Sequence, residues 1–394
     1  MIADPINCTF VLLSPYPTSK AYGVTTKYTF EAVANLGLKT SLLAPNDLNT
    51  YSFGVRGRIA LAVYSSLKKT FNRSGLVSVV CFYLTAILWL INLRQDPRIK
   101  SARIIWSRNL VIPLMLRSKN IIHISEVHQP PSKAILLATK SIKKSDKLII
   151  GVISEYLRAY VRDCNLSRFP IISLPMAVPD FFLKEISNRV LEDSFKFDVG
   201  YFGSLQSASQ DQGVLRALEQ LEIYRLQAPN SKFLFAGVGD DGKIMIETYL
   251  RDILDVDNTD AYEVIPHINH DKIPQLLTKC FSLLIPHPEG DFFKAKFPLK
   301  ALEYASSCRP ILCSNTESHK NIFRNGEVFF YEIGDDCALN NLLSAMKGDP
   351  QNIAKKTRLA WYLANENTYS ARVQKAIDFA MKISTKTRKR SDEV

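Results

Sequence analysis

Short apolar runs alternate with helix-length amphipathic segments along the whole chain, the periodicity of an α/β protein built on parallel sheets. In the first half, runs at residues 9–13, 41–44, 103–107, 121–125, 147–153 and 170–175 predict strands, with helices starting near Thr25, Arg58, Leu76, Ser132 and Ser154. In the second half, runs at 199–203, 232–236, 263–266, 282–286, 310–313 and 328–331 repeat the scheme. The charged segment LKEISNRVLEDSFK separates the halves and reads as a linker. The expected organisation is an N-terminal Rossmann-like domain over 1–182, a linker over 183–196 and a second Rossmann-like domain over 197–365. A closing helix over 366–385 would return to the first domain, ahead of a basic disordered tail over 386–394. Two doubly wound domains place a ligand cleft between the carboxyl ends of their strands.

The 394 residues suffice for two cores, and 46% hydrophobic with 22% charged residues excludes a disordered or fibrous chain. Seven cysteines are scattered singly with no C-x-x-C pair, which predicts reduced thiols in a cytoplasmic protein rather than a disulfide frame or zinc site. The opening MIADPINCTFVLLSPYP has no basic stretch and only a five-residue apolar run, so a first strand is expected there, not a secretory signal. Charge is unevenly spread. Residues 51–150 hold 17 basic against 3 acidic residues, whereas residues 201–350 hold 14 against 21. One half therefore suits an anionic partner, either nucleic acid or an anionic membrane surface.

Residues 297–312, FPLKALEYASSCRPIL, carry the chemistry. Pro298 suits a helix's first turn, and Lys300 would lie in that turn, where a cation is unfavourable unless an anion sits opposite. Glu303, one turn further on, could reach a ribose hydroxyl pair. A docked nucleotide diphosphate makes sense of both, and an ordinary amphipathic helix with an i,i+3 ion pair accounts for them equally well.

The same stretch resembles the donor-site signature of GT-B glycosyltransferases, particularly the retaining family 4 enzymes (glycosyl transferases group 1), where P-x-K-x-x-E-Y precedes a small-residue helix. VGYFGS at 199–204, FLFAGVGD at 233–240, IISLPMAVPDFF at 171–182, SEVHQPP at 125–131, ISEYL at 153–157 and TYSARVQKA at 368–376 are similar to further landmarks, in the family's order. The resemblance implies the GT-B fold, two Rossmann-like domains whose parallel sheets face a cleft, and metal-independent transfer of a hexose-type sugar from a nucleotide-sugar. It makes Glu303 the ribose-binding carboxylate and Lys300 a diphosphate neighbour. It also brings Gly203 and the backbone around Phe297, Pro298 and Leu299 toward the phosphates and sets His128 in the cleft near the transferred sugar. The sequence departs from the family at three positions: Ala295 replaces the first acid of an E-x7-E pair, Ser204 an arginine, and Gln212 a lysine. Lys294, Lys296 and Lys300 are the cations expected to compensate.

On the acceptor side, Gly23 falls at a glycine turn and Arg108 and Asn109 end a strand. Glu126 and His128 share a loop, where a capping pair is the alternative. Asp255-Val256-Asp257 reads as a solvated turn, and His267-x-x-His270 lacks further metal ligands. Residues 58–71 form a basic amphipathic pattern suited to an anionic leaflet, and residues 76–93 form an uncharged run read as a buried or membrane-skimming helix.

These readings predict a glycosyltransferase that needs no cofactor or metal and acts on a glycan or lipid-linked acceptor in polysaccharide or envelope synthesis. It would work at the cytoplasmic face of a membrane, without nucleic acid. The rivals are a non-catalytic GT-B scaffold, a nucleic-acid binder and a sugar-nucleotide epimerase.

Overall fold

The computed structural model describes residues 6–13, 16–18, 21–44, 89–118, 120–143, 147–187, 195–207, 210–256 and 259–392. They divide into two compact units, Met1–Pro175 with Arg372–Val394, and Met176–Ala371. Each unit is an α/β sheet protein.

In the first unit, β1 (Asn7–Val11), β2 (Lys39–Leu43), β3 (Ile104–Ser107), β4 (Ile122–Val127), β5 (Leu148–Val152) and β6 (Ile171–Ser173) form one sheet. Its order is β2-β1-β3-β4-β5-β6, and every pairing is parallel. The second unit contains β7 (Phe197–Phe202), β8 (Gln206–Ser207), β9 (Gln210–Asp211), β10 (Phe233–Ala236), β11 (Tyr262–Ile265), β12 (Cys280–Ile285), β13 (Ile311–Ser314) and β14 (Phe329–Tyr331). Its parallel sheet runs β11-β10-β7-β12-β13-β14, with β8 and β9 as a small antiparallel pair. Both orders are doubly wound. They reverse between β1 and β3 and between β7 and β12, where ligands of such sheets bind beyond the carboxyl ends.

Each of the twelve predicted runs is a strand. Helices cover both faces, so IIWS, LIIGV, FLFA and ILCS are buried throughout and read as unbroken apolar runs rather than alternation. Ser132 and Ser154 cap the helices Lys133–Thr139 and Glu155–Asp163 through bonds from the amides of Ile135 and Leu157. The first helix, Ala21–Asn35, begins four residues before Thr25. Thr25, Thr26 and Thr29 do not cap it, because their hydroxyls bond back to carbonyls one turn earlier, at Tyr22 and Thr25.

Two expectations are corrected. Residues 183–187 of the expected linker belong to a helix at Asp180–Ser187, since Phe182 and Leu183 are buried in the second unit's core, and the units part at Pro175; residues 188–194 lie outside the described residues. The tail expected to be disordered continues the helix Tyr369–Asp392. Buried Val373, Ala376, Ile377 and Ala380 anchor that helix, and the Lys/Arg-rich extension has good helix propensity.

Residues 58–71 and 76–88 lie outside the described residues. The remainder of the uncharged run, 89–93, is helical, with Trp89, Leu90 and Leu93 packed against Val11, Leu43 and Ile105. Among the described residues no helix is long and apolar enough to cross a membrane.

Candidate functional site

In the second unit, Gly203 follows β7 with φ +132°, a conformation L side chains rarely adopt, and a Cβ there would stand 3.2 Å from the Lys300 ammonium. Lys300 lies in the first turn of the helix Leu299–Ala305, its Nζ 3.9 Å from the centre of the Tyr201 ring. Its surroundings offer π-electrons but, among the described residues, no hydrogen-bond acceptor. Burial pushes Lys300 down to about 7, against the opposing pull of Glu303. Glu303 is buried, and its Oε1 accepts a 2.7 Å hydrogen bond from His270 Nε2. The His270 ring in turn lies 5.2 Å from that of Phe182.

The three departures have distinct environments. Ala295 is buried at the end of the helix Asp291–Lys294. Ser204 is exposed, with Oγ bonded to the Gln206 carbonyl at 2.7 Å, and its own carbonyl takes the Tyr201 hydroxyl at 2.6 Å. Gln212 is buried, and its Nε2 has no acceptor among the described residues. Next to it, Gly213 caps the helix Val214–Gln227 at φ +78°, where a Cβ would strike the Pro286 carbonyl oxygen at 2.1 Å. Lys294 pairs with Asp291 at 3.2 Å, and Lys296 lies 4.7 Å from the centre of the Phe292 ring. Phe297 packs on the core, and Pro298 is the N-cap before Leu299. Of the expected donor residues, contact therefore joins Lys300 and Gly203.

The first unit brings Glu126, His128 and Arg108 together in one polar network. Glu126 Oε1 accepts from Trp106 Nε1 at 2.7 Å, while Oε2 faces His128 Nε2 at 2.8 Å and Arg372 Nη2 at 2.9 Å. Burial alone would raise the Glu126 carboxyl, but Arg372 and His128 hold it well below the usual range. Burial and the Arg108 guanidinium push His128 down to about 4, so it is neutral at pH 7. His128 Nε2, besides facing Glu126 Oε2, lies 3.1 Å from Arg108 Nε, and Nδ1 lies 2.9 Å from Arg108 Nη2. Arg108 Nη1 also donates to Thr25 Oγ1 and the Tyr22 carbonyl, at 2.8 and 3.1 Å. Asn109 Oδ1 caps the Val111 amide at 2.9 Å. Gly23 lies inside the first helix, where a Cβ would meet the Thr18 carbonyl oxygen at 2.2 Å.

Sequence reasoning missed His270, Tyr201, Trp106, Arg372 and a buried pair, His287 and His319. Arg372 had a signal, because it stands on the apolar stripe of Tyr369, Val373 and Ala376, where only a partnered cation is tolerated. His270 was weighed only as a metal ligand with His267, yet His267 pairs with Asp240. Among the described residues no group of three acidic, histidine or cysteine side chains is placed to hold a metal, and the described cysteines are free thiols.

Residues 184–372 match the family described as glycosyl transferases group 1. The fold is similar to a glycosyltransferase from Rickettsia africae (13% identity, covering 96% of this chain and 98% of that one, TM-score 0.68). It is similar also to sucrose-phosphate synthase from Thermosynechococcus elongatus (13% identity, 96% and 99% covered, TM-score 0.66). The Anabaena protein Alr3699/HepE, solved in complex with UDP and glucose, aligns at 12% identity over 96% and 99% of the two chains, with TM-score 0.57. No curated protein matches the sequence. Residues 184–372 thus carry a glycosyltransferase family match, and the two doubly wound sheets have the fold of the GT-B glycosyltransferases they resemble.

Proposed function

We propose that the second unit binds a nucleotide-sugar and that the enzyme transfers its sugar, with retention of configuration, to a glycan or lipid-linked acceptor in polysaccharide or envelope glycan synthesis. The observation that carries this reading is the Lys300 ammonium beside Gly203, at the point where the strand order reverses. A half-buried cation that makes no hydrogen bond among the described residues suits a diphosphate. Glycosyl transfer builds negative charge on the departing diphosphate, and a fixed cation in a poorly solvated site lowers that barrier. The unpartnered Gln212 amide would donate to the same phosphates, and Glu303, oriented by His270, would accept from the ribose hydroxyls. The UDP and glucose in the Anabaena neighbour support a sugar nucleotide as donor. His128, neutral and bonded at both ring nitrogens, enters as a positioning residue rather than as an acid or base. The excess of 17 basic over 3 acidic residues in 51–150 supports work at an anionic cytoplasmic membrane face.

Calorimetric titration with UDP, GDP, ADP and TDP and their sugars, on wild type beside Glu303→Ala, tests the proposal. Binding of one base series by wild type, weakened tenfold or more by the substitution (about 1.4 kcal/mol), is expected. Failure of wild type to bind any member would overturn the donor site. Salt-dependent binding to phosphatidylserine vesicles but not to oligonucleotides is expected for the membrane part.

A further inference from the structure

Beyond β12, two histidines form a directed pair. His319 Nδ1 lies 2.9 Å from the Ser314 carbonyl oxygen, which can only accept. It also lies 3.2 Å from Ser314 Oγ, whose own proton goes to the His287 carbonyl oxygen at 2.6 Å. The His319 proton is therefore on Nδ1. Burial, aided by the Lys300 charge and opposed by the Ser314 bond, holds His319 down to about 4, so its Nε2 is a bare lone pair at pH 7.

His287 Nδ1 faces that lone pair at 3.3 Å. One of the two nitrogens must donate, so the His287 proton is on Nδ1 as well. Burial, aided by the Lys300 charge, keeps this ring neutral too. The relay from Ser314 through both rings ends in a second lone pair, His287 Nε2. His287 is only 4% exposed, Nε2 has no partner among the described residues, and the ring is stacked on Phe293 at 5.3 Å.

We infer that His287 Nε2 accepts a hydrogen bond from a hydroxyl of the donor's sugar, which makes His287 a determinant of sugar specificity. The inference rests on the donor-site reading above. A phosphate oxygen is excluded as the partner of Nε2, because two acceptors would face each other. Lys300 does not fill the role, since its ammonium lies on the Tyr201 ring and makes no hydrogen bond among the described residues. Position supports a sugar: His287 follows β12 and Gly203 follows β7, neighbours at the reversal of strand order, and Lys300 lies beside Gly203 while acting electrostatically on His287. A site with a buried acceptor rejects an analogue lacking the matching hydroxyl more strongly than shape alone can.

The test takes the tightest-binding nucleotide-sugar of the UDP, GDP, ADP and TDP panel and titrates it, its singly deoxygenated analogues and the bare nucleoside diphosphate into wild type and His287→Phe. One deoxygenated analogue should bind wild type at least tenfold more weakly than its parent, and His287→Phe should erase that difference. Equal binding of all analogues by wild type, or a difference that survives the substitution, overturns the inference while leaving the donor site standing. A wild type that binds no nucleoside diphosphate and no sugar overturns both. Long-range proton–nitrogen NMR of the wild-type imidazoles needs no variant: Nδ1–H forms of His287 and His319 are expected, and an Nε2–H form of His287 overturns the inference.

Discussion

The Lys300 ammonium sits 3.9 Å from the centre of the Tyr201 ring, a contact that offsets only part of its lost hydration. Burial pushes this lysine down to about 7, whereas the unfolded chain holds it near ~10.4. Between those values the unfolded state binds more protons, so stability rises with pH across that window and falls as pH drops toward 7. The melting temperature of the ligand-free protein should therefore climb more steeply from pH 7 to 9.5 than that of Lys300→Met. Parallel slopes would show that Lys300 keeps an ordinary pKa.

Binding of a nucleoside diphosphate should return the proton to Lys300. At pH 8, calorimetric enthalpies in buffers of different ionisation heat should reveal net proton uptake, lost in Lys300→Met. Proton-neutral binding by wild type would count against contact between Lys300 and the diphosphate.

Glu126 and Arg372 are both buried, and removing one partner strands the other charge. Glu126→Ala should cost about 3–5 kcal/mol in denaturant unfolding, and Glu126→Leu with Arg372→Met much less than the sum of the single changes. The carboxyl is held below its ordinary value, so its contribution is complete above that value and is lost as pH falls through the folded-state pKa. Acid unfolding should accordingly be shallower in Glu126→Gln, and an unchanged acid limb would show that the pair contributes little.

His128 should titrate near 4, read from its ring carbon-bound protons, and should add no inflection to activity between pH 5 and 8. Arg108→Met removes one of the two main causes of that depression and should raise the midpoint while burial keeps it below the free value. A wild-type midpoint near ~6.5 would contradict the buried, doubly bonded ring.

Gly213→Ala combines a left-handed backbone with an overlap on the Pro286 carbonyl oxygen. A loss of about 2–4 kcal/mol is expected from thermal or urea unfolding. A loss below ~1 kcal/mol would mean that the loop after β12 yields easily.

The strands were legible because parallel sheets covered on both faces demand unbroken apolar runs, a purely local signal. Lys300 and Glu303 stood out because one short run carries both, although the local pattern alone fitted an ordinary amphipathic helix equally well and only the family resemblance pointed to a donor site. Their partners did not stand out. His270 reaches Glu303 across 33 residues, and Arg372 bonds the Pro175 carbonyl across 197. No local period encodes such pairings, which are set by how the elements pack. The tautomers of His287 and His319 are further from the sequence still, since they depend on which oxygen near each nitrogen has a proton to give.

The second unit is one uninterrupted stretch, whereas the first is assembled from two pieces that flank it. Val178 and Thr368 pair as a bridge, so the ends of the inserted stretch lie side by side. During synthesis the nested domain can close as soon as residue 371 has emerged. The enclosing domain must wait with Glu126 lacking its arginine partner, because Arg372 is made 246 residues later. The inner domain is thus free to finish before the outer one, a reversal of the amino-to-carboxyl order in which domains usually fold.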